Sequence, residues 1–354
     1  MKSSFLRIVI VTLLLVFSFM IVNPVQAESN PIRLQAQSVC PTRLKALGTT
    51  INWVAEKLDK MSNGNIKMKV YDPGKMVPPH EILDAVSKGK LSAGYTNAAD
   101  WAGKLPASPL FGAVPFGPEP VVFASWFYYG GGIELYQEMY DRSGFNVHVL
   151  LCGILPPETA GWSNRLIKKP EDLKGMKARF LGLGGDVLEK CGVSVQLLPM
   201  AETFPALEKG AIGLAEVCIP SVDHEMGLYK IAKYNYFPGW HQPSTTMELL
   251  INKDVWEKFS DSQKVMFEIA TKAATLDELV YAESMQGKII ENNDQYGITN
   301  VTWSDELLSL FEEKWEEVVA EQCQKDEFFA KVWKSLSVFR DEYSNWGTLG
   351  YLEK

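Results

Sequence analysis

The chain has no HExxH, GxxxxGK[ST], GxSxG or GxGxxG segment. The usual signatures of zinc peptidases, P-loop hydrolases, serine hydrolases and dinucleotide-binding folds are therefore missing. Histidine is scarce: His80, His148, His224 and His241 are far apart, none has a partner at metal-ligand spacing, and they are read as structural or surface groups. The five cysteines, Cys40, Cys152, Cys191, Cys218 and Cys323, are scattered and never form a CxxC pair. That pattern is neither a disulfide framework nor a zinc site, and buried apolar thiols with at most one or two bridges are expected. No Lys/Arg cluster exists to track a phosphate backbone, and the formal charge is −8, which argues against nucleic acid as a partner.

What is present begins at the N-terminus. Lys2 and Arg7 precede the apolar run Ile8 to Val22, and Val25-Gln26-Ala27 ends in a small residue. This reads as a signal peptide over 1–27, too short to span a bilayer and followed by no second run of that length. The expected product is a soluble periplasmic protein starting near Glu28, with no cysteine there to carry a lipid anchor. Loss of Lys2 and Arg7 takes the net charge to about −10. The remaining length suffices for two lobes with substantial cores.

A weak internal repeat indicates how those lobes are built. Ala85 to Ala93 resembles Ala206 to Leu214: a helix end, a glycine stop, then a short strand. Alternating runs precede each copy, Ile66 to Tyr71 and Val193 to Leu197. Two similar α/β lobes follow. The first is expected over 28–150, with part of 250–300 returning to it, and the second over 151–247. Val147 to Leu151 and Glu248 to Ile251 read as strands crossing between them, which makes a hinge. An amphipathic helix is expected from about Arg43 to Met61. A long helix over 261–292, with Val265, Met266, Ile269, Ala273, Leu276 and Val280 on its apolar face, must lie across both lobes. The segment 305–354 holds C-terminal helices, the last with an aromatic stripe suited to core packing or a subunit contact.

Two polar residues stand out. Arg179 lies in a strand among apolar neighbours, ahead of the glycine-rich stretch Gly182 to Gly185. Such an arginine is costly unless it meets an anion, and its planar fork matches a carboxylate. Glu216 ends the strand of the second repeat copy, where α/β sheets carry ligand-binding groups.

The chain resembles the periplasmic substrate-binding subunits of TRAP (tripartite ATP-independent periplasmic) transporters, in the branch of 2-oxo acid and lactate binders. The resemblance covers essentially the whole mature chain. It rests on Trp101-Ala102-Gly103-Lys104, Phe111 to Gly117, Asp172 to Arg179, Ala206 to Gly210, Pro238-Gly239-Trp240 and Asn252-Lys253. It implies an α/β, two-lobed periplasmic-binding-protein-like fold with a long lobe-spanning helix and C-terminal helices, a binding protein rather than an enzyme, and a membrane permease as partner. By resemblance Arg179 grips the substrate carboxylate. Glu216 and the main-chain carbonyl of Val217 hold a metal cation. Glu158 stands where the branch has a glutamine ligand, and Glu248 where some members place another. Trp101 and Trp240 are candidates for the pocket wall, and the C-terminal helix for a homodimer contact.

Counting charge, three glutamates and a substrate carboxylate against Arg179 favour Ca²⁺ over Na⁺. Asn97-Ala98-Ala99-Asp100 replaces bulkier residues usual in the branch, so Asn97 borders a pocket open to larger or aromatic acids. Two rival readings are an exported metal-dependent enzyme using Glu158 or Glu248 as base, and a ligand-sensing subunit of a membrane receptor.

Overall fold

The computed structural model describes residues 31–352, so the expected signal peptide lies outside the described residues. Eleven strands are described: β1 (Ile32–Ser38), β2 (Ile66–Tyr71), β3 (Ala93–Thr96), β4 (Val147–Leu155), β5 (Trp162–Ser163), β6 (Lys177–Arg179), β7 (Ser194–Gln196), β8 (Leu214–Ala215), β9 (Tyr234–Phe237), β10 (Thr245–Asn252) and β11 (Thr299–Thr302). They form two sheets, ordered β2-β1-β3-β10-β4 and β11-β9-β5-β8-β6-β7.

The sheets share one wiring. In the first, β1 pairs in parallel with β2 and β3, and β10 joins β3 antiparallel. In the second, β6 pairs in parallel with β7 and β8, and β5 joins β8 antiparallel. The repeat accounts for this correspondence. β2, a helix over Ile82–Ser87, Gly89 and β3 match β7, a helix over Met200–Glu208, Gly210 and β8. Both glycines have left-handed backbones, φ 71° and 69°, which let each helix stop and turn back to its sheet.

Chain crossings differ slightly from the sequence expectation. β4 stays in the first sheet until Leu155, past the expected boundary at 150, and β10 returns from Thr245. Both are buried from end to end save His148, as strands covered on two faces must be.

The first long helix begins later than its apolar stripe suggests, at Thr49 and not Arg43. Residues 41–48 fold as turns, with Ala46 at φ 59° and Gly48 pressed against Pro41. A Cβ on Gly48 would lie 1.9 Å from the Pro41 carbonyl oxygen. Gly48→Ala is therefore expected to cost about 3 kcal/mol, seen as a lower denaturant midpoint at unchanged slope; an unaltered midpoint would show that this turn yields freely.

The helix Asp261–Glu291 is capped at Ser260 by a capping box with Gln263. It packs on β4 and the Thr49–Met61 helix of the first lobe, and on the Pro220–Glu225 helix of the second. Its buried face is not the expected one. Val265, Ile269, Leu276 and Val280 face solvent, while Phe267, Ala270, Thr271, Ala274, Thr275, Glu278, Ala282 and Gln286 are buried. Alanines permit a close approach to the sheet, and the polar groups find partners. Gln286 accepts from the Ser221 amide at 2.9 Å, and Glu278 accepts from the Thr50 hydroxyl at 2.6 Å. The larger aliphatic residues are left as a stripe at the surface.

Of the last two helices, Asp305–Lys325 packs on the Gly182–Lys190 helix of the second lobe. Glu327–Gly350 packs on the Pro120–Tyr129 and Gly132–Arg142 helices of the first. Phe329, Val332 and Leu336 are core, whereas Trp346 and Leu349 are exposed. No described helix is long and apolar enough to cross a membrane.

Candidate functional site

A cavity of about 680 Å³ lies between the sheets. Its walls are the C-terminal ends of the parallel strands: Val39 and Cys40 after β1, Asp72 after β2, Asn97 after β3, Arg179 at the end of β6, Leu197 after β7, and Val217 after β8. Open α/β sheets bind ligands at these ends because the chain there leaves the sheet and frees side chains and backbone amides. Leu155 and Glu158 after β4, with Gln242, Thr245 and Met247 at β10, complete the floor where the crossings run.

Arg179 and Glu216 meet because β6 and β8 pair. The Glu216 amide donates to the Arg179 carbonyl at 3.1 Å. Arg179 Nη1 donates to Glu216 Oε2 at 2.7 Å and also to the Glu216 main-chain oxygen. The Leu181 amide donates to the same carboxylate oxygen at 3.2 Å. These bonds lock one edge of the guanidinium, while the residue still borders the cavity.

Glu158 approaches from the other side. Its Oε1 accepts from Thr245 Oγ1 at 2.7 Å and from Gln242 Nε2 at 3.1 Å. Its amide donates to the Gln242 carbonyl. Gly239 permits this, since a Cβ there would lie 2.1 Å from the Glu158 carbonyl oxygen. Burial, and then Glu216 beside it, hold the Glu158 carboxyl well above the usual carboxylate range.

Two oxygens remain without partners, Glu158 Oε2 and Glu216 Oε1, both fully enclosed. Glu158, Glu216 and His241 each offer one ligand atom, a carboxylate oxygen or an imidazole nitrogen, and these atoms all lie within 4.8 Å of one another. Orphaned buried oxygens of two facing carboxylates are costly in the absence of a cation or shared proton, and their number and hardness fit a bound metal ion.

Asp100 also lines the cavity. Burial pushes its carboxyl up to about 7, against the pull of Arg179. Asn97 uses Oδ1 to accept from the Ala99 amide at 2.7 Å, which leaves its amide nitrogen as the group available to a ligand.

A family model for bacterial extracellular solute-binding proteins, family 7 (DctP), matches residues 39–326. The chain belongs to this family. It is 34% identical over 332 residues to a monocarboxylate 2-oxoacid-binding periplasmic protein of Nostoc sp., covering 93% of this chain and 90% of the relative. A TRAP transporter solute-binding protein from Bordetella bronchiseptica superposes with a TM-score of 0.86 at 25% identity, covering 89% of this chain and 94% of that one. That structure is a dimer with copurified calcium and picolinate. One from Pseudoalteromonas atlantica, with bound sodium and pyruvate, has a TM-score of 0.86 at 27% identity, covering 91% and 100%. The DctP proteins are the solute-binding subunits of TRAP transporters, so this chain is a binding protein and not an enzyme.

Within the DctP fold, three expected site residues sit elsewhere. Glu248 faces the core of the first lobe. Its Oε1 accepts from Thr96 Oγ1 at 2.8 Å, Trp101 Nε1 at 3.0 Å and Tyr140 OH at 2.9 Å, and its Oε2 accepts from both Tyr140 and Tyr136. With both oxygens satisfied by the protein, Glu248 has nothing to offer a metal, and Trp101 is spent as its donor. Trp240 stacks between Phe116 and Phe311, with ring centroids 5.6 and 4.5 Å away, and does not border the cavity. Strand alternation sends Glu248 inward, whereas Trp101 ends a short 3-10 helix and Trp240 lies in the turn after β9; resemblance alone does not report which way a residue points.

Asp100 and His241 were not singled out. Asp100 was visible as a carboxyl in the altered Asn97–Asp100 stretch. His241 carried no spacing signal, because its neighbours in space, residues 158 and 216, are far away in sequence.

Proposed function

We propose that this DctP protein is exported by the 1–27 signal peptide and captures a small 2-oxo or 2-hydroxy acid together with a metal cation. The lobes close over them, and the closed form docks on a TRAP membrane permease. The observation that carries this reading is the Arg179–Glu216 pair beside the orphaned oxygens of Glu158 and Glu216 at the strand ends. Arg179 binds the substrate carboxylate through Nη2, since Nη1 serves Glu216 and Nε donates to the Leu198 carbonyl at 3.4 Å. Glu158, Glu216 and the Val217 carbonyl hold the cation, and Asn97 reads the substrate from the first lobe. When bound, the ion supplies positive charge and an oxygen-binding centre.

Without Glu248, charge counting still favours a divalent ion. Two glutamates and the substrate carboxylate carry three negative charges, and Arg179 offsets one. A divalent ion such as Ca²⁺ balances the remainder, whereas Na⁺ leaves one charge uncompensated. The cavity is roomier than a three-carbon acid needs, and Leu47, Leu155, Leu197, Met200 and Met247 line it. An acid with a larger apolar or aromatic side chain is thereby accommodated.

A thermal-shift screen of 2-oxo, 2-hydroxy and aromatic acids, with Ca²⁺ or with EDTA, tests this. A ligand at a hundred times its Kd stabilises by about 2.7 kcal/mol. The expected result is a raised Tm with Ca²⁺ and a much smaller rise in EDTA. Equal shifts in both would remove the cation from the reading, and no shift with any acid would remove the cargo class.

The same protein forms a homodimer in this reading, with the end of the C-terminal helix of one copy covering the long-helix stripe of the other. Leu349 is 86% exposed, and Leu276 is 63% exposed. Apolar surface arranged at helical spacing seldom stays uncovered. Sedimentation velocity at micromolar concentration should show a dimer, and Leu276→Asp a monomer. A wild-type monomer would exclude the contact.

A further inference from the structure

Asp100 is a cavity carboxyl that the proposed capture leaves unused. It sits in the short 3-10 helix Ala98–Trp101, just after β3, and borders the cavity from the first lobe. That turn is held tightly. The Asp100 amide donates to the Asn97 carbonyl at 3.1 Å, and a Cβ on Gly112 would lie 2.5 Å from Asn97 Oδ1. The turn also meets the second lobe, because a Cβ on Gly182 would lie 3.7 Å from that of Ala99. Four ionisable groups act on the Asp100 carboxyl: Arg179 from β6, Glu248 from β10, Tyr140 from the Gly132–Arg142 helix and Cys40 after β1. The Pro109–Gly112 helix packed on the turn adds none. Arg179 is the one cation of the four, and no described side chain donates a hydrogen bond to Asp100.

An anion laid on Arg179 engages that cation and sets a like charge before Asp100. Both changes disfavour a carboxylate there. In the proposed capture, Glu158, Glu216 and the cargo carboxylate are balanced by Arg179 and a divalent ion, so an ionised Asp100 would be surplus charge in a closed cleft. We infer that Asp100 couples capture of the acid to uptake of a proton: the loaded site holds it as the neutral carboxylic acid, the proton drawn from solvent, and presents an O–H donor to the cargo in place of a like charge. This rests on the capture reading above and adds a proton to what is bound. The step is small, since burial already pushes the carboxyl of the empty site up to about 7. Cargo raises that value further, so binding is strongest below the pKa of the empty site and weakens as pH rises through it. The fall is about tenfold per pH unit until the loaded site also releases its proton.

The test is calorimetric titration of the full-length mature protein with pyruvate, lactate and phenylpyruvate. Saturating Ca²⁺ throughout keeps Glu158 and Glu216 on the ion in both states. Run at pH 8 in HEPES and in Tris, whose heats of ionisation differ, the wild type needs no variant: the buffer dependence of the binding heat should correspond to uptake approaching about one proton per acid. Its Kd should rise by about tenfold between pH 7.5 and 8.5. Asp100→Asn, a neutral isostere, should abolish the uptake, flatten the pH profile and bind the acid more tightly than wild type at pH 8.5. A binding heat independent of buffer, or the same proton uptake in Asp100→Asn, would overturn the role of Asp100 while leaving the capture reading in place. Absence of binding by all three acids at every pH would instead overturn the capture reading itself.

Discussion

Arg179→Met abolishes ligand-dependent stabilisation. The substrate carboxylate loses the guanidinium at the end of β6, and Glu216 Oε2, now fed by the Leu181 amide alone, is left as an uncompensated charge in an enclosed site. Truncating one member of a buried, hydrogen-bonded charge pair costs about 2–5 kcal/mol in binding, which is at least about a thirtyfold rise in Kd. The free protein is destabilised by a similar amount, because an unpaired buried charge also penalises folding. Arg179→Lys separates the two effects. It keeps the charge but lacks the fork that serves Glu216 and a carboxylate together, so it should recover most of the stability and little of the affinity. Isothermal titration with the best acid from the screen, beside melting of the free variants, reads both. Wild-type affinity in Arg179→Met would dismiss Arg179 as the anchor.

Glu278→Gln should make the protein more stable at alkaline pH and leave it nearly unchanged at pH 5. Glu278 projects from the long helix to Gly153 of β4, where a Cβ would lie 2.1 Å from its Oε2. Burial pushes its carboxyl up to about 8, partly opposed by hydrogen bonds from Thr50 and Tyr95. An unfolded glutamate titrates near its ordinary value, so between that value and 8 the folded chain holds a proton that the unfolded chain releases. The stability this group contributes is full below the unfolded pKa and declines as pH rises through the folded one. The loss approaches about 5 kcal/mol as an upper bound. A neutral amide of the same shape removes that dependence. Melting of wild type and variant from pH 5 to 9 should give curves that diverge as pH rises. Parallel curves would show that Glu278 ionises freely in the folded state.

The lobes were legible because their signals are local. Glycine stops at Gly89 and Gly210 and alternating runs such as Ile66–Tyr71 encode a strand–helix–strand unit within some thirty residues, and each unit formed as read. Arg179 and Glu216 lie at strand ends that the sequence marks, and the sheet brings them together by placing β6 beside β8. What escaped was decided by direction and by distance along the chain. Glu248 is on a strand that borders the site, but it projects into a cage of tyrosines, and one residue either way would have turned it around. The long helix misled because its largest aliphatic residues lie on the outer face, while alanines and partnered polar groups carry the packing. His241 could be recognised only once a turn had placed it beside Glu158.

The shared wiring of the two sheets carries one further consequence. Equivalent strand ends face each other across the cargo, yet they have diverged: the β6 and β8 termini carry a guanidinium and a carboxylate, and the β3 terminus carries Asn97 and Asp100. In the proposed reading, gripping and discriminating fall to opposite halves. Exchanging the short stretch from 97 to 100 should retune which acid is accepted while the hold on its carboxylate stays as it was, a separation that lets one scaffold acquire new cargo by editing a single loop.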